Sequence, residues 1–198
     1  MSVSADGARR LVVIRHGQTA WNAEHRFQGH TDTPLDETGR RQAVEVANEV
    51  APLRPGLILC SDLERARSTA AALASVTGAA MVIDPALREI NMGGWEGLTH
   101  PEARARYPDE YDAWSAGRPV RRGGGEIEAE AGARAAAFIT TQLARPDHLE
   151  TRTVAVVAHG TVLRAALDRL ATDGAIDLDG PAPSFANVEW RCFIWRGA

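Results

Sequence analysis

The first regular pattern along the chain is an apolar run, Leu11-Val12-Val13-Ile14, cut off by Arg15-His16-Gly17. A buried strand that delivers side chains to a site at its carboxyl end has this form. Residues 17–36 are polar and rich in glycine and threonine, include Gln28-Gly29-His30-Thr31-Asp32, and predict a loop lying over the strand ends. Asp36 is placed to cap a helix over 37–51, with Val44, Ala47, Val50 and Ala51 at helical spacing and Pro52 as its stop. Leu57-Ile58-Leu59-Cys60 reads as a second strand. Ser61-Asp62-Leu63-Glu64 has the form of a capping box and predicts a helix to about residue 76, closed by Gly78.

Residues 80–83 give a third short strand. The run from Leu87 to Gly97 predicts a structured loop, where glycine permits sharp turns close to a ligand. Residues 98–117, interrupted by Pro101 and Pro108, predict short helices forming a cap or side wall, followed by a loop over 118–125 with three consecutive glycines. Over 126–144, Ile127, Ala131, Ala135, Phe138, Ile139 and Leu143 share one helical face, and Pro146 stops the helix. Thr153-Val154-Ala155-Val156-Val157-Ala158 is nearly all apolar and β-branched, as in a central parallel strand covered on both faces. It too ends in a histidine and a glycine, His159-Gly160, before a helix over 161–171. Residues 188–195 alternate, with Val188, Trp190, Cys192 and Ile194 on one face and Glu189 and Arg191 leading the other, which suits a half-covered edge strand. Strands alternating with helices predict an α/β fold with a mainly parallel sheet and helices on both faces.

At 198 residues, 44% hydrophobic and 24% charged, the chain can bury one substantial core, so one domain over 9–198 is expected behind a loose tail at 1–8. The net charge of −4 offers no electrostatic reason to bind nucleic acid or an anionic membrane. No apolar run approaches the roughly 20 residues that span a bilayer. The amino-terminal residues lack the apolar region of a signal peptide, so the expected location is cytoplasmic. All 22 basic residues are arginine. Without lysine there is no Walker-type loop and no Schiff base, and any phosphate must be recognised by guanidinium groups. Cys60 and Cys192 lie in strand-like apolar runs without metal-ligand spacing and read as buried small hydrophobes in a reducing compartment. His25, His30, His100 and His148 have no partner at such spacing and are expected to be solvated, while Trp21 and Trp95 are expected to pack under loops.

In open α/β sheets the ligand sits beyond the carboxyl ends of the strands. Independent elements place Arg15 and His16, Arg65, Glu89 and His159 there. Two guanidinium forks and nearby helix amino-termini bind a phosphate dianion. A neutral imidazole in line with the phosphorus can attack it, a second can donate to the equatorial oxygens, and Glu89 is the natural acid for the leaving alkoxide and base for the attacking water. Glu96 lies in the same loop as Glu89, and one of the two can instead bond backbone amides.

Arg15-His16-Gly17 with Thr19 and Asn22, then Ser61-Asp62-Leu63 with Arg65, Ala66 and Thr69, then Leu87-Arg88-Glu89 with Gly94, Trp95, Glu96 and Gly97, and finally Ala158-His159-Gly160, together resemble the histidine phosphatase superfamily. This group holds the cofactor-dependent phosphoglycerate mutases and related phosphatases. The resemblance implies a three-layer α/β/α, phosphoglycerate mutase-like fold and a phosphohistidine on His16. It implies a phosphate pocket of Arg15, Arg65 and His159, and Glu89 as proton donor. Thr19, Asn22, Gln28, Gly29 and Gly160 fall on the phosphate or substrate side, with no metal and no cofactor. The implied partner is a small phosphorylated metabolite.

Mutases of this type carry a longer insertion after the glutamate loop, with extra cations for a bisphosphorylated ligand. Here that region is short, and Arg121 and Arg122 are its only paired cations, read as a solvated pair or as a contact to the substrate's anionic end. The chain therefore resembles the compact bacterial phosphatases acting on small monoesters, including glucosyl-3-phosphoglycerate and ribazole phosphatases, with a phosphoglycerate mutase or a non-catalytic phosphate-binding module as alternatives. Two departures bear on the substrate. Ile127 stands where many relatives have serine, and Thr161 where a second glycine often follows the His-Gly pair. An aromatic-rich edge strand is compatible with a homodimer.

Overall fold

Strand β4, Thr153–Ala158, is buried along its whole length, which is why its sequence carries no polar alternation. In the computed structural model, which describes residues 8–197, it lies between β1, Arg9–Arg15, and β2, Leu57–Cys60, parallel to both. Strand β3, Ala80–Ile83, extends the sheet parallel to β2, and β5, Trp190–Trp195, closes the other side antiparallel to β1. The order is β3-β2-β4-β1-β5. The expected tail at 1–8 lies outside the described residues except for Ala8.

Alternate residues along the strands face opposite layers. Leu11, Val13, Leu57, Leu59, Val154 and Val156 meet helices α6, Glu128–Ala144, and α7, Gly160–Thr172. Val12, Ile14, Ile58, Cys60, Ala155 and Val157 meet α2, Glu37–Val50, and α3, Glu64–Thr77. The three-layer α/β/α arrangement follows. None of the described helices is long and apolar enough to cross a membrane.

Several local expectations are corrected. Asp36 does cap α2, accepting from the Gly39 amide at 2.7 Å, but Val44 is 56% exposed. The inward face is Gly39, Ala43, Val46, Ala47 and Val50, whose small residues admit α3. Ser61 does not cap α3, which has no side-chain cap from its own leading residue Leu63. The Glu64 amide instead donates to Asp32 from the distant loop, at 2.7 Å, and Ser61 is turned toward His159. Helix α6 begins two residues later than expected because the Glu126 amide donates back to Asn91 O at 2.9 Å. Strand β5 also begins late, at Trp190, since Val188 adopts a left-handed φ of 52°. Cys60 is buried as expected, but Cys192 is exposed: cover on its face stops at Trp190, while Phe193 and Trp195 pack on the α6–α7 layer.

The side wall is two short helices, α4, His100–Arg106, and α5, Pro108–Ser115. They are seated on Trp95, which is fully buried, stacks on Tyr111 at 5.7 Å and donates its indole N–H to Glu110 at 3.1 Å.

Candidate active site

Strands β1 and β4 end level, Arg15 opposite Ala158, so the residues that follow them meet. The rings of His16 and His159 lie 5.0 Å apart, inclined at 62°. His16 Nδ1 lies 2.7 Å from the Gly17 carbonyl oxygen. A carbonyl can only accept, so Nδ1 carries the proton and Nε2 keeps its lone pair. Gly17 is required there: a Cβ would come within 2.5 Å of the Gly39 carbonyl oxygen. His159 has the opposite tautomer, because Arg65 Nε–H donates to its Nδ1 at 3.2 Å, and Nε2–H donates to Ser61 Oγ at 2.9 Å. Burial, reinforced by Arg65, holds both histidines well below the ordinary imidazole value of 6.5.

Arg65 is fully buried and spans the site. Beyond His159, it donates from Nη1 to Thr31 O and from Nη2 to Gly29 O, both at 2.8 Å. Burial lowers its pKa to about 10, still cationic at neutral pH. Gly29 has a φ of 55°, and a Cβ there would strike the Glu96 carboxylate at 2.2 Å. Arg15 donates to Phe185 O at 2.7 Å, and its buried Nε has no partner among the described residues.

The Glu89 carboxylate sits at the amino-terminus of α7. It accepts from the Ile90 and Val162 amides at 2.9 Å and from the Thr161 amide at 3.2 Å. Its backbone carbonyl is held by His30 Nε2 and Arg134 Nη2, each at 2.9 Å. Arg134 also grips Ala86 O and Arg88 O and pairs with Glu126. Glu96 accepts from the His30, Thr31 and Met92 amides, so both loop carboxylates bond backbone amides. Only Glu89 lines the cavity.

That cavity, about 310 Å³, brings together Arg15, His16, Arg65 and Glu89, and its rim includes Asn22, Gln28, Gly29, Gly160 and Thr161. Two expected contacts stand behind its wall. His159 is fully buried between Arg65 and Ser61. Thr19, also fully buried, caps the short helix α1, Ala20–Ala23, and bonds Asn22 and Gln28, so it orients two wall residues. The wall also holds Arg26, Arg122 and Arg164, so five arginines face one carboxylate in a chain of net charge −4.

Arg164 and Arg26 carried no sequence signal beyond being arginines, although Arg164 lies little more than one turn into the helix after His159. The Arg121–Arg122 pair divides. Arg121 is exposed and pairs with Glu130, whereas a 3₁₀ turn over Arg122–Gly124 buries Arg122 to 3% exposure. Ile127 lies on a second cavity beside the first. His25 and His100 are exposed as expected, but His30 and His148 are half-buried, the latter bonded to Gln142 O at 2.9 Å. Among the described residues, no three His, Cys, Asp or Glu side chains cluster as a metal site.

A sequence profile described as the histidine phosphatase superfamily (branch 1) matches residues 11–190. A glucosyl-3-phosphoglycerate phosphatase of Mycolicibacterium vanbaalenii is 36% identical over 214 residues, covering 96% of this chain and 95% of that protein. A phosphoglycerate mutase-like protein of Arabidopsis thaliana is 38% identical over 164 residues, covering 80% and 70%. Among solved structures, a mycobacterial glucosyl-3-phosphoglycerate phosphatase in complex with VO3 superposes with a TM-score of 0.80 at 34% identity, covering 96% of this chain and all of that one.

Proposed function

The chain belongs to the histidine phosphatase superfamily and is a phosphoric monoester hydrolase of that type, and from this premise we propose that it cleaves small phosphate monoesters through a phosphohistidine on His16. The observation that carries the reading is the His16 Nδ1–H bond to Gly17 O, which leaves Nε2 unprotonated at the cavity wall. Each guanidinium has five N–H donors. Arg15 uses one on Phe185, leaving four, and Arg65 uses three on His159, Thr31 and Gly29, leaving two. Both side chains line the cavity, and those of the six that face it cradle the phosphoryl oxygens and stabilise the charge that spreads over them in the transition state.

Nε2 attacks phosphorus in line, the ester P–O bond breaks, and the leaving oxygen takes a proton from the Glu89 carboxyl. Water then attacks the phosphohistidine, Glu89 takes its proton, and the P–N bond breaks to release phosphate and free imidazole. His159 positions Arg65. Arginines do the electrostatic work, so the reaction proceeds without added metal. Glucosyl-3-phosphoglycerate, named for the Mycolicibacterium relative, is the first substrate to try.

The test is phosphate release from a panel of small monoesters, for wild type and His16→Ala, with 3-phosphoglycerate isomerisation followed in parallel because of the mutase-like relative. Release accompanied by an acid-labile phosphoprotein, both lost in His16→Ala, is the expected result. Isomerisation exceeding release would replace the reading with a mutase.

A further inference from the structure

Residues 88–92, which carry Glu89 to the cavity, belong to no helix or strand, so their carbonyls have no ladder to join. Arg134 on α6 takes up that role. Its Nη1 donates to Ala86 O and Arg88 O, both at 2.8 Å, and its Nη2 to Glu89 O at 2.9 Å. The two remaining donors, on Nε and Nη2, close on the two carboxylate oxygens of Glu126 at 2.9 Å each. All five N–H groups of this guanidinium are therefore engaged, and Arg134 is not among the residues lining the cavity. Glu126 completes the clamp, accepting from the Asn91 amide at 2.8 Å while its own amide donates to Asn91 O at 2.9 Å.

Glu89 is thus strung between two helices. Its carbonyl is held by α6, and its carboxylate accepts from the Thr161 and Val162 amides at the start of α7. The spacing between these helices is fixed where Gly132 meets Ala165, since a Cβ on Gly132 would lie 2.6 Å from the Ala165 carbonyl oxygen. The neighbouring Arg88 side chain is committed elsewhere, in two bonds to Asp62 at 2.8 and 2.6 Å.

We propose that Arg134 is a positioning residue for proton transfer: by fixing the main chain of Glu89 against α6, it sets where the Glu89 carboxyl stands relative to the departing oxygen. The inference deepens the phosphatase reading and rests on it. Transfer between two oxygens demands close placement, and a misplacement of about 1 Å caused from outside a site can cost on the order of 10²-fold.

First-turnover ester cleavage separates this role from a structural one, because p-nitrophenolate leaves without a proton and the alkoxide of glycerol 3-phosphate does not. Arg134→Met is expected to slow cleavage of glycerol 3-phosphate by on the order of 10–100-fold and of p-nitrophenyl phosphate by less than about threefold. In a Glu89→Gln background the same substitution should change glycerol 3-phosphate cleavage by less than about twofold, since the group it places is already disabled. Arg134→Lys, with three donors for five acceptors, should recover part of the loss, and it carries the same comparisons should Arg134→Met not fold. Equal losses on both esters, or losses that add fully to those of Glu89→Gln, would overturn the assignment and make Arg134 structural. Phosphate release from no monoester would instead sink the phosphatase reading. Amide hydrogen exchange then decides Arg134 alone: in the variant the Val162 amide, bonded to Glu89, should exchange about tenfold faster or more relative to the Leu163 amide, bonded to His159 O. An unchanged ratio of the two would count against the proposal.

Discussion

At the floor of the cavity Arg65 is fully buried with Nε, Nη1 and Nη2 tied to His159, Thr31 and Gly29, whereas on the side wall Arg122 is almost as buried and its Nη2 has no hydrogen-bond partner among the described residues, only the Glu128 carboxylate 3.8 Å away. The floor is assembled where parallel strands end, and His16, His159, Arg65 and the Glu89 carboxylate have fixed partners before substrate arrives. Such preorganisation lets donors act on developing charge without reorganising first. The wall is made by two short helices and a 3₁₀ turn, and it keeps a donor unspent. Groups suited to phosphate itself thus stand at the strand ends, and the wall adds cations of its own, Arg122 and Arg164.

The strongest break of the floor is removal of His16, the proposed nucleophile. His16→Ala is expected to lower kcat by about 10⁴-fold or more, measured as phosphate release, with the wall untouched. Glu89→Gln keeps amide-accepting oxygen at α7 but cannot supply the proton. Its kcat should fall by roughly 10²–10⁴-fold with little change in KM, and least for substrates with good leaving groups such as p-nitrophenyl phosphate.

A pH series sharpens the contrast, because both buried imidazoles belong to the floor. Their folded pKa values lie below the ordinary 6.5, so between the two values the unfolded chain binds more protons. The stability they contribute is present above about pH 6.5 and is lost as pH falls, at up to about 1.4 kcal/mol per pH unit for each histidine. Denaturation midpoints should drop between about pH 6.5 and pH 5, with a shallower slope in His159→Asn. A slope unaltered by that substitution would show that other groups govern the acid limb.

The mildest change is Ser61→Ala. It leaves His159 Nε2–H without its acceptor in a fully buried place and should cost about 1–3 kcal/mol in urea unfolding. A smaller loss of kcat/KM, common to all monoesters, is expected with it.

The sequence by itself determined the strands, their sites of exit and the chemistry they deliver. Apolar runs broken by Arg15-His16 and by His159-Gly160 mark buried strands that end at the cavity, and a period of two against 3.6 separates strands from helices without any long-range information. Tertiary structure decided which neighbours share an environment. Adjacent arginines 121 and 122 look alike in the chain, yet the 3₁₀ turn sends one to solvent and buries the other. Ser61 has the form of a helix cap but serves His159, because Asp32, half a sheet away in sequence, reaches the Glu64 amide first. Cys60 and Cys192 sit in equally apolar runs, yet only the former is on a strand with helices on both sides. Periodicity reports the local backbone and the face it presents, whereas burial and hydrogen-bond partnership depend on which segments close over that face, a property of the assembled layers rather than of any one stretch.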